Sequence, residues 1–197
     1  MTLTRPNPTL LPGFTDPVHG AQRTFRALLD ALARPGMLQP TPALTAPLGL
    51  TPSCAAACLT LLDLETQVWL QPQMPEAVRA WLLFHTGCRF TADPQMADFA
   101  VISDVATAPD LDQFCFGTPE YPEASTSLLI QLSVLTGGQK VTLQGPGILE
   151  AIAIYPPFPP EFWTQWQAMT TDYPLGLDVW CFAENQILGL PRTSRLA

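Results

Sequence analysis

The sequence predicts an α/β protein of three layers, a mixed β-sheet with helices on both faces, and three observations carry that prediction. Apolar runs of strand character, TQVWL at Thr66 to Leu70, FAVI at Phe99 to Ile102 and SLLIQLS at Ser127 to Ser133, are interleaved with segments of helical periodicity. FAVI is too continuously apolar for a strand with one wet face, so both of its faces must be covered. Gly137-Gly138, between SLLIQLS and QKVTL, reads as a turn joining an antiparallel pair, which makes the sheet mixed. The chain has 197 residues, 47% of them hydrophobic, with a mean hydropathy of +0.17. That is ample material for one core, and residues 1–197 read as one domain.

The first helix lies in GFTDPVHGAQRTFRALLDALARPG, Gly13 to Gly36. Asp16 can cap it, Pro17 suits its first position, and Pro35-Gly36 forbids continuation. Helical spacing puts Ala21, Phe25, Leu28, Leu29 and Leu32 toward a core, with His19, Arg23, Arg26 and Asp30 on another face. A Pro-rich stretch follows, and Thr51-Pro52 then opens a second, almost wholly apolar helix, SCAAACLTLLD, that must be buried. Pro75-Glu76 starts a third helix, which Gly87 stops. The acidic, Pro-containing stretch from Ala108 to Ser125 reads as a loop with no more than one helical turn, long enough to suggest a function. Pro159-Pro160-Glu161 opens the last helix, and Leu177 to Phe182 with Gln186 to Leu190 forms a hairpin across Ala183-Glu184-Asn185.

Charged residues are only 13% of the chain, against about 25% in ordinary soluble domains. Much of the surface is therefore weakly polar, and association with other chains is expected. A net charge of −8 with Lys140 as the sole lysine argues against nucleic-acid binding. The opening MTLTRPNPTLLPG does not read as a leader, and no run approaches the ~18 apolar residues of a membrane span, so a cytoplasmic location without membrane attachment is expected. Cys54, Cys58, Cys88, Cys115 and Cys181 read as reduced thiols. Cys54 and Cys58 lie one helical turn apart, but without a CxxC pair and with two histidines in the chain, core packing outweighs a metal site.

Several chemistries are disfavoured by residue type. Gln144-Gly145-Pro146-Gly147 resembles a phosphate loop but lacks the Lys-Ser/Thr of a Walker motif, and Pro146 removes a donor, so it reads as a turn. No Gly-x-Ser-x-Gly exists for a serine hydrolase. Schiff-base chemistry would rest on Lys140 alone. What remains is basic clustering: His19, Arg23 and Arg26 can project together to bind an anion, or Arg26 can simply pair with Asp30. Arg192-Thr193-Ser194-Arg195 is a second cluster. Acidic candidates are Asp63, Glu65, Glu120, Glu123 and Asp178, each equally able to serve as a cap or an arginine partner.

The segments GFTDPVHGAQRTFRALLDALARPG, YPLGLDVWCF and GLPRTSRL resemble the H subunit of carbon-phosphorus lyase, the PhnH family. LLDLETQVWL, Tyr121-Pro122-Glu123 and Leu143 to Ile148 fall between them in the family's order. The resemblance implies a cytoplasmic homodimer that joins the G, I and J subunits in a core complex for phosphonate catabolism, a complex of the lyase and transferase classes. It implies support for making a ribose alkylphosphonate triphosphate from ATP and an alkylphosphonate, in an assembly role more than a catalytic one. It implies a fold like a reduced pyridoxal-phosphate transferase large domain without the cofactor lysine, so no cofactor and no metal are expected. No catalytic residue comes with it. Arg23, Arg26, Glu123, Asp178, Arg192 and Arg195 are the candidates for subunit contacts or for binding a phosphonate or nucleotide phosphate. An enzyme or ligand-binding dimer with its own cleft is the alternative.

Overall fold

The computed structural model describes residues 11–197, so the opening segment read as no leader lies largely outside it. Among the described residues the α-helices are α1 (Pro17–Ala33), α2 (Pro52–Leu61), α3 (Glu76–Thr86) and α4 (Pro160–Met169). The strands are β1 (Gln39–Pro40), β2 (Gln67–Leu70), β3 (Arg89–Thr91), β4 (Phe99–Ile102), β5 (Ser127–Gln131), β6 (Val141–Gln144), β7 (Ile152–Ile154), β8 (Asp178–Ala183), β9 (Gln186–Leu190) and β10 (Arg195–Leu196). Seven of them form one sheet in the order β1-β9-β8-β5-β4-β2-β3, and β10-β6-β7 form a smaller one. In the large sheet β3, β2, β4, β5 and β8 are parallel, while β9 runs antiparallel to β8 and β1 antiparallel to β9. The mixed sheet is as expected, but its antiparallel part comes from the β8-β9 hairpin.

Period-two alternation sorts the core into two halves. Trp69, Ala100, Ile102, Leu128, Ile130, Val179 and Cys181 point to one face and pack with Phe162, Trp163 and Trp166 of α4. Val68, Val101, Leu129, Trp180 and Phe182 point to the other and pack with α1, α2 and α3. FAVI thus has both faces covered, which is why it carries no polar residue.

The local start and stop signals are used as read. Asp16 accepts from the backbone N–H of His19 at 3.1 Å, and Thr51 Oγ1 accepts from that of Cys54 at 3.3 Å. Gly87 ends α3 at φ +69, a conformation that costs glycine nothing. The buried stripe of α1 is a correction. Gly20, Thr24, Ala27, Leu28 and Ala31 face the core, whereas Phe25 and Leu29 face outward. The cause is close approach between helix and sheet. β9 passes so near that a methyl on Gly189 would collide with the carbonyl of Ala31, and Thr24 folds its hydroxyl back on the Gly20 carbonyl at 2.9 Å. Only small side chains fit that seam. Leu28 stays buried beside Trp180, whose Nε1–H donates to the Leu28 carbonyl at 3.0 Å.

Two further expectations are corrected. QKVTL does not pair with SLLIQLS: β6 joins β7 and β10 in the small sheet, because β5 is already flanked by β4 and β8. The loop from Ala108 to Ser125 contains two 3-10 turns, Leu111–Gln113 and Pro122–Ala124, the first held by Gln165 Oε1 accepting from Leu111 N–H at 2.7 Å. The short strands β1, β3, β7 and β10 carry too few residues to show a period. All five cysteines are free; Cys54 and Cys58 share the α2 face that packs on α1 and α3.

Candidate functional site

Arg192 follows β9 and Asp178 begins β8, so the hairpin returns the guanidinium to the carboxylate. Asp178 Oδ1 accepts from Arg192 N–H at 2.9 Å, and Oδ2 accepts from Nε and Nη2 at 3.2 and 2.8 Å. Nη1 donates to the carbonyls of Pro122 and Pro174 at 2.8 and 3.3 Å, and Nη2 also reaches Ser125 Oγ. All five guanidinium N–H groups therefore meet acceptors of the chain itself. Only 13% of the Arg192 side chain and 25% of that of Asp178 is exposed. The group ties the long loop, through Pro122 and Ser125, to the C-terminal hairpin. Glu123, beside the bonded Pro122 carbonyl, is itself exposed.

A cleft of about 370 Å³ opens next to this latch, lined by Gln144, Gly145, Pro146, Tyr173, Arg192, Thr193 and Arg195. Here two separately read motifs meet, because β10 pairs Arg195 with Gln144 of β6. Arg195 is exposed and makes no ion pair among the described residues. The glycines serve packing as a turn: Gly147, at φ +82, lies against the carbonyl of Ala33, where no Cβ would fit.

The α1 arginines lie elsewhere. Arg23 borders a groove of about 640 Å³ with Phe14, Asp16, Gly20, Pro40 and Thr41. His19 does not join Arg23 and Arg26; its Nδ1 turns back to Asp16 Oδ2 at 2.8 Å. The backbone N–H of His19, and then its ring, hold the Asp16 carboxyl below its ordinary pKa. Arg26 is exposed and makes no ion pair with Asp30. Glu123, Asp178, Arg192 and Arg195 are thus drawn toward one region, and Arg23 and Arg26 form a second. Asp63, among the weaker candidates, accepts from Glu65 N–H and Thr66 N–H as a turn former.

In open α/β sheets, ligands commonly sit outside the carboxyl ends of the strands where the strand order reverses. Here that place lies beyond β2 and β4, and the chain's own side chains fill it. Gln71, 2% exposed, accepts with Oε1 from Ser103 N–H, Ser103 Oγ and Asp104 N–H at 2.8, 3.1 and 2.9 Å. Its Nε2 donates to the Asp104 carbonyl and Thr107 Oγ1. One strand further, Gln131 Oε1 accepts from Thr51 N–H at 2.6 Å and its Nε2 donates to the Gly49 carbonyl. The amino end of α2 is likewise closed, since Ser53 N–H donates to the Glu184 carbonyl at 2.9 Å. Lys140 is exposed and stands just before β6 in the other sheet. Sequence reasoning passed over both glutamines; their only signal is a polar residue closing an apolar run, VWLQ and SLLIQ.

Fold and site together define a three-layer α/β protein of mixed sheet, with its strand-end crevice closed by its own carboxamides and an arginine-carboxylate latch joining its C-terminal hairpin to its long loop. Comparison with known proteins gives the family. The model of the bacterial phosphonate metabolism protein (PhnH) matches residues 12–197. The chain is also 40% identical over 188 residues, 93% of each sequence, to the alpha-D-ribose 1-methylphosphonate 5-triphosphate synthase subunit PhnH of Rhizobium meliloti (strain 1021). The chain belongs to the PhnH family.

Proposed function

We propose that this chain is a subunit of a synthase of alpha-D-ribose 1-methylphosphonate 5-triphosphate within a carbon-phosphorus lyase complex, and that it assembles the complex instead of turning over substrate. The observation that carries this reading is the 40% identity to a subunit of that synthase across 93% of both chains. The filled strand-end crevice supports an assembly role, because a small molecule entering there would have to displace the bonds that Gln71 makes to Ser103 and Asp104, just past β4. A homodimer working in the cytoplasm with G, I and J subunits completes the proposal, as does descent of the fold from a pyridoxal-phosphate transferase large domain. Among the described residues no helix is long and apolar enough to cross a membrane.

Deletion of the gene should abolish growth on methylphosphonate as sole phosphorus source while leaving growth on inorganic phosphate intact. Growth on both sources would refute the reading. Arg23→Ala with Arg26→Ala should reproduce the defect without unfolding the protein, since neither side chain is part of the core. The second reading, a dimer with its own ligand cleft, is favoured by Arg195 and Tyr173 on the 370 Å³ cleft. Calorimetry with ATP and with methylphosphonate separates the two: heat of binding to the isolated protein that is lost in Arg195→Ala favours the cleft.

A further inference from the structure

We propose that the outward face of α1 is a docking surface for a companion subunit, and that the companion presents an apolar groove rimmed by carboxylates. The proposal rests on the subunit reading above and names the surface. Val18, Phe25 and Leu29, at i, i+7 and i+11, form one outward stripe and are 75%, 51% and 57% exposed. Folding does not need them there, because the small residues Gly20, Thr24, Ala27 and Ala31 already seat the helix on the sheet. Such a stripe on a helix that is packed on one side only is how helices present anchors to a groove.

The charges beside the stripe specify the partner. Arg26, one turn before Leu29, borders the stripe, and Arg23 lies one turn before Arg26 on the same side; both are exposed, and neither makes an ion pair among the described residues. The chain as a whole carries −8, so two unmatched cations along one side of an apolar stripe are a local exception. Arginine and aromatic side chains together are the composition of interface hot spots. A carboxylate rim on the partner would satisfy them.

A second copy of this chain is the poorer occupant. The stripe from Val18 to Leu29 has its midpoint at Arg23 and Thr24. A two-fold axis through that midpoint sets Arg23 against Thr24 and Arg26 against Ala21 of the other copy, so a second copy offers neither arginine a carboxylate.

The test is co-expression of this chain, affinity-tagged, with the remaining subunits of the triphosphate synthase from the same genome, read by size-exclusion chromatography and native mass spectrometry. Wild type should retain its companions. Phe25→Glu with Leu29→Glu, and separately Arg23→Glu with Arg26→Glu, should weaken retention roughly 10-fold or more, with the isolated protein unchanged in melting temperature and oligomer size. Should the first pair impair folding, the second, at exposed polar positions, decides. Hydrogen exchange adds a readout without mutation: α1 amides should slow in the complex. Companions retained by both variants, or α1 exchange unchanged on assembly, would overturn the surface. A change of oligomer size in the variants would also overturn it, by making the face a self-interface. Absence of companions with wild type would refute the subunit reading itself.

Discussion

Replacing Asp178 by Ala tests whether the Arg192 latch stabilises the fold. The substitution removes an acceptor of three hydrogen bonds, from Arg192 N–H, Nε and Nη2 at 2.9, 3.2 and 2.8 Å, and strands a guanidinium whose side chain is only 13% exposed. Removing one partner of a fully buried pair costs about 3–5 kcal/mol, whereas a surface pair contributes about 0–1. With a quarter of the carboxylate side chain exposed, solvent recovers part of the loss. The carbonyls of Pro122 and Pro174 also continue to hold Nη1. A destabilisation of about 3 kcal/mol is expected, equivalent to a fall in Tm of roughly 6–12 °C for a chain of this size. Urea denaturation of wild type, Asp178→Ala, Arg192→Ala and the double variant supplies both the loss and, by a double-mutant cycle, the coupling. Arg192→Lys should recover little, because one ammonium cannot replace the forked donors. If Asp178→Ala lies within 1 kcal/mol of wild type by the standard of a surface pair, the latch reasoning is wrong.

Gln71→Leu should destabilise by about 1–2 kcal/mol in the same urea assay, because it takes the shared acceptor from the N–H groups of Ser103 and Asp104, whose exposure lets water recover part of the loss. The Asp16 carboxyl is depressed when folded, so its contribution is present above the ordinary carboxylate pKa of about 4 and is lost as pH falls through the lower folded value. NMR titration should place Asp16 below the ordinary carboxylate value, and Asp16→Asn should remove its pH-dependent contribution. Burial raises the thiol pKa of Cys54, Cys88 and Cys181, while Cys115 is partly exposed. A thiol reagent at neutral pH should therefore label Cys115 alone in native protein and all five cysteines in urea; rapid native labelling of Cys181 would contradict the packing of β8.

The candidate site was legible as residue types but not as an arrangement. Glu123 and Asp178 stand well before the Arg192–Arg195 cluster in the chain, and nothing in that spacing says that the loop, the hairpin and the small sheet bring them toward one latch and one cleft. Gln71 and Gln131 escaped notice because a glutamine after an apolar run looks like any strand end. Their importance comes from backbone groups just past β4 and just before α2, at Ser103, Thr51 and Gly49, that only the packed sheet brings within reach.

By itself the sequence determined what depends on neighbours a few residues away. The caps Asp16 and Thr51, the stops at Pro35-Gly36 and Gly87, the doubly buried FAVI strand and the C-terminal hairpin all rest on local hydrogen bonding and periodicity. The motif order likewise carried the family. Tertiary structure decided what depends on competition among distant surfaces. β6 had strand character, but β5 already had two neighbours, so β6 went to a second sheet. The helix α1 had two stripes able to face inward, one of large apolar residues and one of small. The close pass of Gly189 under Ala31 admitted the small one, because dispersion and area burial reward the face that comes nearest, and it left Phe25 and Leu29 to the outside.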